Sequence, residues 1–411
     1  MLQPEARLKI ISRVKTIVVR QHFNIGNIDY VDWSRTVEEQ IPTLLTADDN
    51  TFENGIRDIL GRLGSSHTNF YRSDTNPTLP QHLIGATFRS RTIVGAPKWM
   101  FLDVFEDSPA ASVGISPGQI LLSVDGVPAA PPDFPVFRFG QTHELAIQVP
   151  NQREIKHLSL TVPMTRGKRS QLPLVEPKSV SFRMLQPRLG IVKIAYFSGA
   201  FGFGFSTLLD DAIESLKERG CDRLIIDLRG CLGGSLGFAR LASYLSPDRI
   251  PIGYDVTRKR LLRGYNVDQL PHLSMPCTKL GLMFCLLRFA VQDKSLVLLT
   301  QGLGKQPFHG HVAVLINEWT NSAAEIVAQF AKETRLATVI GTQTRGNVLG
   351  AKIFDVGFAY KLYLPIFGWY GPSGIYTEGS GIYPDVHVDI DPDELALGND
   401  RQLNRALETL Q

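Results

Sequence analysis

Ser322 is the residue whose type and setting most plainly offer chemistry. It lies in 312–335, VAVLINEWTNSAAEIVAQFAKETR, after an apolar run, Val312 to Ile316, that reads as a buried strand. Ala323 to Lys332 follows with Ile326, Val327, Phe330 and Ala331 on one helical face. A serine at a sharp strand-to-helix turn exposes its hydroxyl, and the first helical N–H groups can face a developing oxyanion, as acyl transfer requires. The same residues, Ser322-Ala323-Ala324-Glu325, also fit a capping box, in which serine satisfies an orphan amide and glutamate bonds back. A second turn, Arg229-Gly230-Cys231-Leu232-Gly233-Gly234, follows the apolar run RLIIDL; its glycine pair suits an oxyanion site or a plain tight turn. It lacks the G-x-x-x-x-G-K-[ST] of a phosphate loop. His67, one of nine histidines, follows a helix-ending Gly64 and by itself suits a structural or exposed place.

At 411 residues the chain exceeds one ordinary core, so two or three domains are expected. A formal charge of +3 is small for this length and gives no reason to expect a nucleic-acid partner. The four cysteines, Cys221, Cys231, Cys277 and Cys285, form no C-x-x-C pair, so buried free thiols are expected rather than a metal site. His309-Gly310-His311 lacks a third ligand nearby in sequence. No metal and no organic cofactor is therefore expected. Residues 8–20, LKIISRVKTIVVR, read as a basic amphipathic helix packed on its own domain rather than as a secretory signal. Residues 280–292 are too short, and too interrupted by Arg288, to span a bilayer. A soluble, cytoplasmic protein without stable membrane insertion is expected, or a periplasmic one if a targeting segment has been removed. The sequence carries no signal of oligomeric state.

The elements that must position these residues fall into three stretches. Residues 1–79 are helical, with periodic segments Val31 to Leu45 and Thr51 to Leu63, the second starting at Asn50 or Thr51, and NPTLP at 76–80 as a linker. Residues 80–165 show short strands and turns: an apolar Leu83 to Phe88 with a central glycine, a short helix Ala110 to Val113, a strand Ile120 to Val124 and an Asp125-Gly126 hairpin. Residues 166–411 alternate strands (Gly190 to Ala195, Arg223 to Leu228, Val312 to Ile316, Thr338 to Gly341) with helices (Phe205 to Arg219, Leu236 to Tyr244, Asp400 to Leu410), an α/β pattern. The basic run Arg258-Lys259-Arg260 reads as a solvated face.

Residues 108–129, SPAASVGISPGQILLSVDGVPA, resemble a PDZ domain of the kind found in proteases. That resemblance implies that amides around Ile84, Gly85 and Ala86 receive a peptide's terminal carboxylate while the peptide adds as a strand. With this segment, LIIDLRGCLGG, VAVLINEWTNSAAEIVAQF and YTEGSGIYPD resemble, in order and spacing, the C-terminal processing peptidase family, which includes tail-specific proteases and the catalytic part of tricorn protease. The resemblance covers nearly the whole chain. It implies an α+β multidomain fold with an N-terminal helical domain at 1–79, a small β-rich PDZ-like domain at 80–165 and a crotonase-like α/β core at 166–411. It also implies a serine endopeptidase acting on peptides or proteins.

In that family the nucleophile lies three residues before the motif's glutamate, which maps to Ser322 and Glu325; T-N-S-A-A-E departs mildly from the commoner S-A-S-A-S-E. The tail-specific branch places its lysine base in a T-x-G-K-like motif, where this chain has Thr344-Arg345-Gly346-Asn347. An amide is no general base near neutral pH. Lys352, five residues on, would need the loop to rearrange. The tricorn-like branch instead matches Ser66-His67 and Glu378, and this makes His67 the implied base, with Ser66 and Glu378 orienting or tuning the site by hydrogen bonding. The oxyanion donors implied are the backbone amides of Ala323 and of Gly233 or Gly234. Two other functions fit the same fold: a non-catalytic protein binding hydrophobic ligands or peptides, to which the missing lysine would point, and a hydrolase of non-peptide esters or amides.

Overall fold

The computed structural model describes residues 2–24, 26, 28–73, 79–150, 154–164, 174–199, 201–275, 283, 295–304, 308 and 311–411. Cys277, Cys285, Arg288, His309 and all of 280–292 except Met283 lie outside them, as do residues 76–78 of the expected linker. The chain condenses into two compact units built from interleaved segments. Met1–Pro77, Gly253–Leu298 and Asn347–Gly379 form the first; Thr78–Ile252, Leu299–Gly346 and Ser380–Gln411 form the second.

In the first unit, helices Pro4–Gln21, Tyr30–Thr46 and Asp49–Gly61 pack by apolar faces. The third starts one cap earlier than the sequence suggests: Asp48, not Asn50 or Thr51, accepts from the Thr51 N–H. An aspartate beats a residue inside the first turn because its carboxylate reaches the orphan amides from outside the helix. Residues 8–20 behave as expected, with Ile10, Ile11, Val14 and Val18 buried. The helices do not close their own core. Val356, Tyr360, Leu362 and Leu364, from strands almost 300 positions later, complete the cluster around Phe52, Ile56 and Phe70. Those strands are antiparallel: Asn69–Arg72 pairs with Tyr360–Tyr370, which also pairs with Gly350–Gly357.

The second unit holds two sheets. The antiparallel one runs, in space, Ala86–Ile93, Ala96–Val104, Ile120–Val124, Thr142–Gln148, Ile155–Thr161, so Ala86–Ile93 is an edge strand. The Asp125-Gly126 hairpin forms as expected, with φ of 52° and 77° at its two central residues. The stretch Leu83 to Phe88 is divided: helix Pro80–Ile84 ends at a left-handed Gly85, and the strand starts at Ala86. The other sheet runs Val386–His387, Thr338–Gly341, Val312–Ile316, Arg223–Asp227, Leu189–Ile194, Val180–Gln186, parallel except for the last pair. Its helices include Phe203–Glu218, Phe238–Ser243 and Ala323–Thr334.

One buried ionic group secures the end of a central strand. Arg229 makes a two-pronged pair with Asp227 at 2.9 Å for each bond and reaches Asp400 at 2.7 Å. Burial alone would raise the Asp227 pKa, but Arg229 and Lys193 hold it well below the usual carboxylate range. Arg229→Met would strand Asp227 without its partner, and urea unfolding should show a loss of about 3–5 kcal/mol. A loss below about 1 kcal/mol would mean that the pair contributes packing only.

Among the described residues no helix is long and apolar enough to cross a membrane, and no three metal-binding side chains gather. Cys221 and Cys231 are free and buried.

Candidate active site

The strand Val312–Ile316 delivers the chain into a tight turn because its neighbours on both sides are parallel and all its side chains are buried. The turn is tied at each step. The Asn317 N–H donates to Thr320 Oγ1 at 2.9 Å, and that hydroxyl donates to the Leu228 carbonyl at 3.0 Å. The Asn321 N–H donates to the Cys231 carbonyl at 3.1 Å. Ser322 then takes φ 53° and ψ −116°, a conformation costly for any residue with a Cβ. Such strain persists only where the surroundings enforce it, and here it places Ser322 directly before the helix Ala323–Thr334.

Glu325 supplies one side of the expected capping box. Its Oε2 accepts from the Ser322 N–H at 3.0 Å. The Glu325 N–H donates to the Ser322 carbonyl at 2.8 Å. Fully buried, Glu325 also accepts from Thr344 Oγ1 at 2.6 Å and the Gly346 N–H at 2.7 Å, so it binds the 344–346 loop to the serine's backbone. The capping role expected for this segment is thus met through the serine's backbone.

The glycine turn abuts the serine. A Cβ on Gly233 would stand 2.8 Å from the Cβ of Ser322 and 2.9 Å from the Asn321 carbonyl oxygen. One on Gly234 would stand 2.4 Å from the Phe197 carbonyl oxygen. Only glycine fits either place, and both have positive φ. Ser322, Ala323 and Gly233 are thus brought together in the second unit.

Ser66, His67 and Glu378 are brought together in the first. The turn after the helix Asp49–Gly61 sets His67 at φ 56°. Ser66 Oγ lies 2.8 Å from His67 Nδ1. Glu378 grips backbone: Oε1 accepts from the Ser66 N–H at 2.9 Å and Oε2 from the Val348 N–H at 2.8 Å. Burial lowers the His67 pKa to about 4, so the ring is neutral at neutral pH. A second, fully buried imidazole, His22, holds the same turn through Ser65 Oγ at 2.8 Å from Nε2, while its Nδ1 lies 2.8 Å from the Tyr30 hydroxyl. No motif singled out His22.

Lys352 is exposed in the strand Gly350–Gly357, in register with Leu364, and its ammonium lies 5.2 Å from the centre of the Phe354 ring. Strand pairing opposes the rearrangement it would need to act as a base. Asn347 is half-buried in the same unit. In the other unit, Ile84 and Ala86 are fully buried on either side of Gly85, whose φ of 66° turns the chain into the edge strand.

Residues 188–388, just under half of the chain, match Peptidase family S41. The chain is 24% identical over 297 residues to the carboxy-terminal processing protease CtpA of Bacillus subtilis (strain 168), a match covering 71% of this chain and 53% of that protein. It is 24% identical over 427 residues to tricorn protease homolog 2 of Streptomyces coelicolor, covering 96% of this chain and 32% of that protein. The chain thus spans about half the length of the first relative and about a third of the second. Its fold matches the photosystem II D1 C-terminal processing protease with a TM-score of 0.56 at 18% identity, over 94% of each chain.

Proposed function

We propose that this chain is a serine endopeptidase of the C-terminal processing type, with Ser322 as nucleophile and His67 as its general base. The observation that carries this reading is the strained Ser322 at the strand-to-helix turn, packed against a turn that admits only glycine. Neutral His67, with Nδ1–H directed to Ser66 Oγ, would keep Nε2 as the proton acceptor. Ser322 Oγ attacks the scissile carbonyl as its proton passes to His67, which returns it to the leaving amine; water then hydrolyses the acyl-enzyme. The Ala323 N–H, with that of Gly233 or Gly234, would stabilise the oxyanion. Glu378 would fix Ser66 through its backbone, one step removed from the ring. No metal or cofactor enters this scheme.

In the same proposal residues 80–165 act as a PDZ-like domain and 166–411 as a crotonase-like core. Support for the first is the edge position of Ala86–Ile93 in the antiparallel sheet, with Ile84, Gly85 and Ala86 at its start for a terminal carboxylate; the Phe88 carbonyl accepts from Trp319 Nε1 at 2.8 Å, so a peptide adding as a strand would displace that contact. Hydrolysis of unstructured peptides with free and amidated C-termini tests both parts. The free acid should be cleaved with kcat/KM higher by about fivefold or more, the scale of one charge-assisted contact. Equal rates would remove the C-terminal reading. Tight uptake of an apolar ligand with no turnover of any peptide would favour the non-catalytic alternative.

A further inference from the structure

A buried carboxylate outside the proposed machinery joins both turns that meet at Ser322. Asp103, near the end of the strand Ala96–Val104, is 6% exposed. Its own N–H donates to Thr87 Oγ1 at 3.0 Å, and that hydroxyl donates back to Asp103 Oδ2 at 2.6 Å. Asn317, fully buried, donates from Nδ2 to Asp103 Oδ2 at 3.0 Å and Oδ1 at 3.3 Å. The backbone N–H groups of Gly230 and Trp319 can only donate, so Asn317 must turn its oxygen toward them and its NH₂ toward Asp103. That oxygen accepts two backbone N–H bonds, from Gly230 and from Trp319, each at 3.0 Å.

These two amides head the two turns. Gly230 opens the glycine turn, whose next residue, Cys231, accepts from the Asn321 N–H and whose Gly233 abuts Ser322. Trp319 lies in the turn that ends at Ser322. Asp103 also fixes Gly230 sterically: a Cβ there would stand 2.9 Å from the carboxylate carbon, and φ is +74°. A side chain from the antiparallel sheet therefore anchors one amide group, and that group holds the two turns at a fixed spacing.

We propose that Asp103 is a positioning residue for acylation, acting through Asn317 to set the distance between the Ser322 turn and the glycine turn. This rests on Ser322 being the nucleophile. Half an ångström at an oxyanion site is costly to the transition state and nearly silent in ground-state binding, so the effect belongs in kcat and not in KM.

The test uses the full chain as wild type, Ser322→Ala, Asp103→Leu, Asp103→Asn and Thr87→Val. It reads kcat and KM on an unstructured peptide, the rate of labelling by a small fluorophosphonate, and the melting curve. Asp103→Leu should lose about tenfold or more in kcat and in labelling rate, with KM within about twofold. Asp103→Asn, whose amide oxygen still accepts from Asn317, should recover most of that loss. If Asp103→Leu fails to fold, Thr87→Val decides, since it keeps the volume and removes one anchor of the carboxylate; a fall of about threefold in kcat at constant KM is expected. Wild-type kcat in Asp103→Leu, equal losses in the leucine and asparagine variants, a rise in KM alone, or an unchanged Thr87→Val where the leucine variant does not fold would each overturn the proposal. Turnover and labelling that survive in Ser322→Ala would instead overturn the nucleophile assignment on which it rests.

Discussion

Ser322→Ala should abolish peptide hydrolysis, with an expected fall in kcat/KM of roughly 10⁴-fold or more, because in the proposed mechanism the acyl-enzyme forms on Ser322. The fold should survive. The Glu325 anchor takes the N–H of residue 322 and not its hydroxyl, and the ties at Asn317, Thr320 and Asn321 are untouched. Alanine pays the same backbone strain as serine at φ 53°, so strain does not separate the two proteins. Unfolding in urea should differ by less than about 1 kcal/mol. A variant that is folded and keeps a tenth or so of wild-type activity would remove Ser322 from the chemistry.

His67→Ala should lower kcat by about 10²–10⁴-fold, the usual worth of a positioned general base. The pH profile carries more information than the size of the loss. A base must be unprotonated to act, and an imidazole held by burial at about 4 stays unprotonated well into acid. Activity should therefore be flat as pH falls from neutrality and be lost only as it passes through about 4. An open imidazole would place that limb near 6.5, and a lysine base would confine activity to alkaline solution. Lys352→Ala, in a strand and exposed, should leave kcat/KM within about twofold of wild type.

Local pattern was legible where local forces decide. The strands Val312–Ile316, Thr338–Gly341 and Ile120–Val124 were read at their observed ends, because short apolar runs between turn residues have one reasonable register. Leu83 to Phe88 was not, since an apolar run looks alike at the end of a helix and the start of a strand, and only Gly85 separates them. Long-range structure was hidden for a different reason. Amphipathic periodicity in residues 1–63 shows that a face must be covered but not that Val356, Tyr360, Leu362 and Leu364 cover it.

The candidate site divides in the same way. Ser322 and the glycine pair lie in turns, and Glu325 at the start of a helix, each with a recognisable chemistry of its own. Glu378 and Ser66 are 312 positions apart, and their bond involves the Ser66 backbone, which no side-chain pattern reports. Asp103 and Asn317 are 214 positions apart, and His22 meets Ser65 across 43. Ser66 and Glu378 are reached through the family resemblance and not through their own spacing, whereas Asp103, Asn317 and His22 have meaning only through their partners, so a single sequence offers no spacing by which to find them.

The most direct test of a Ser322–His67 mechanism is the rate at which a fluorophosphonate modifies Ser322, followed by peptide mapping from pH 3.5 to 9. The account predicts label on Ser322, a rate constant that is level from neutrality down to mild acid, and a fall centred near 4 that His67→Ala abolishes along with most of the rate. A rate that rises only in alkaline solution, or label on any residue other than Ser322, would contradict it.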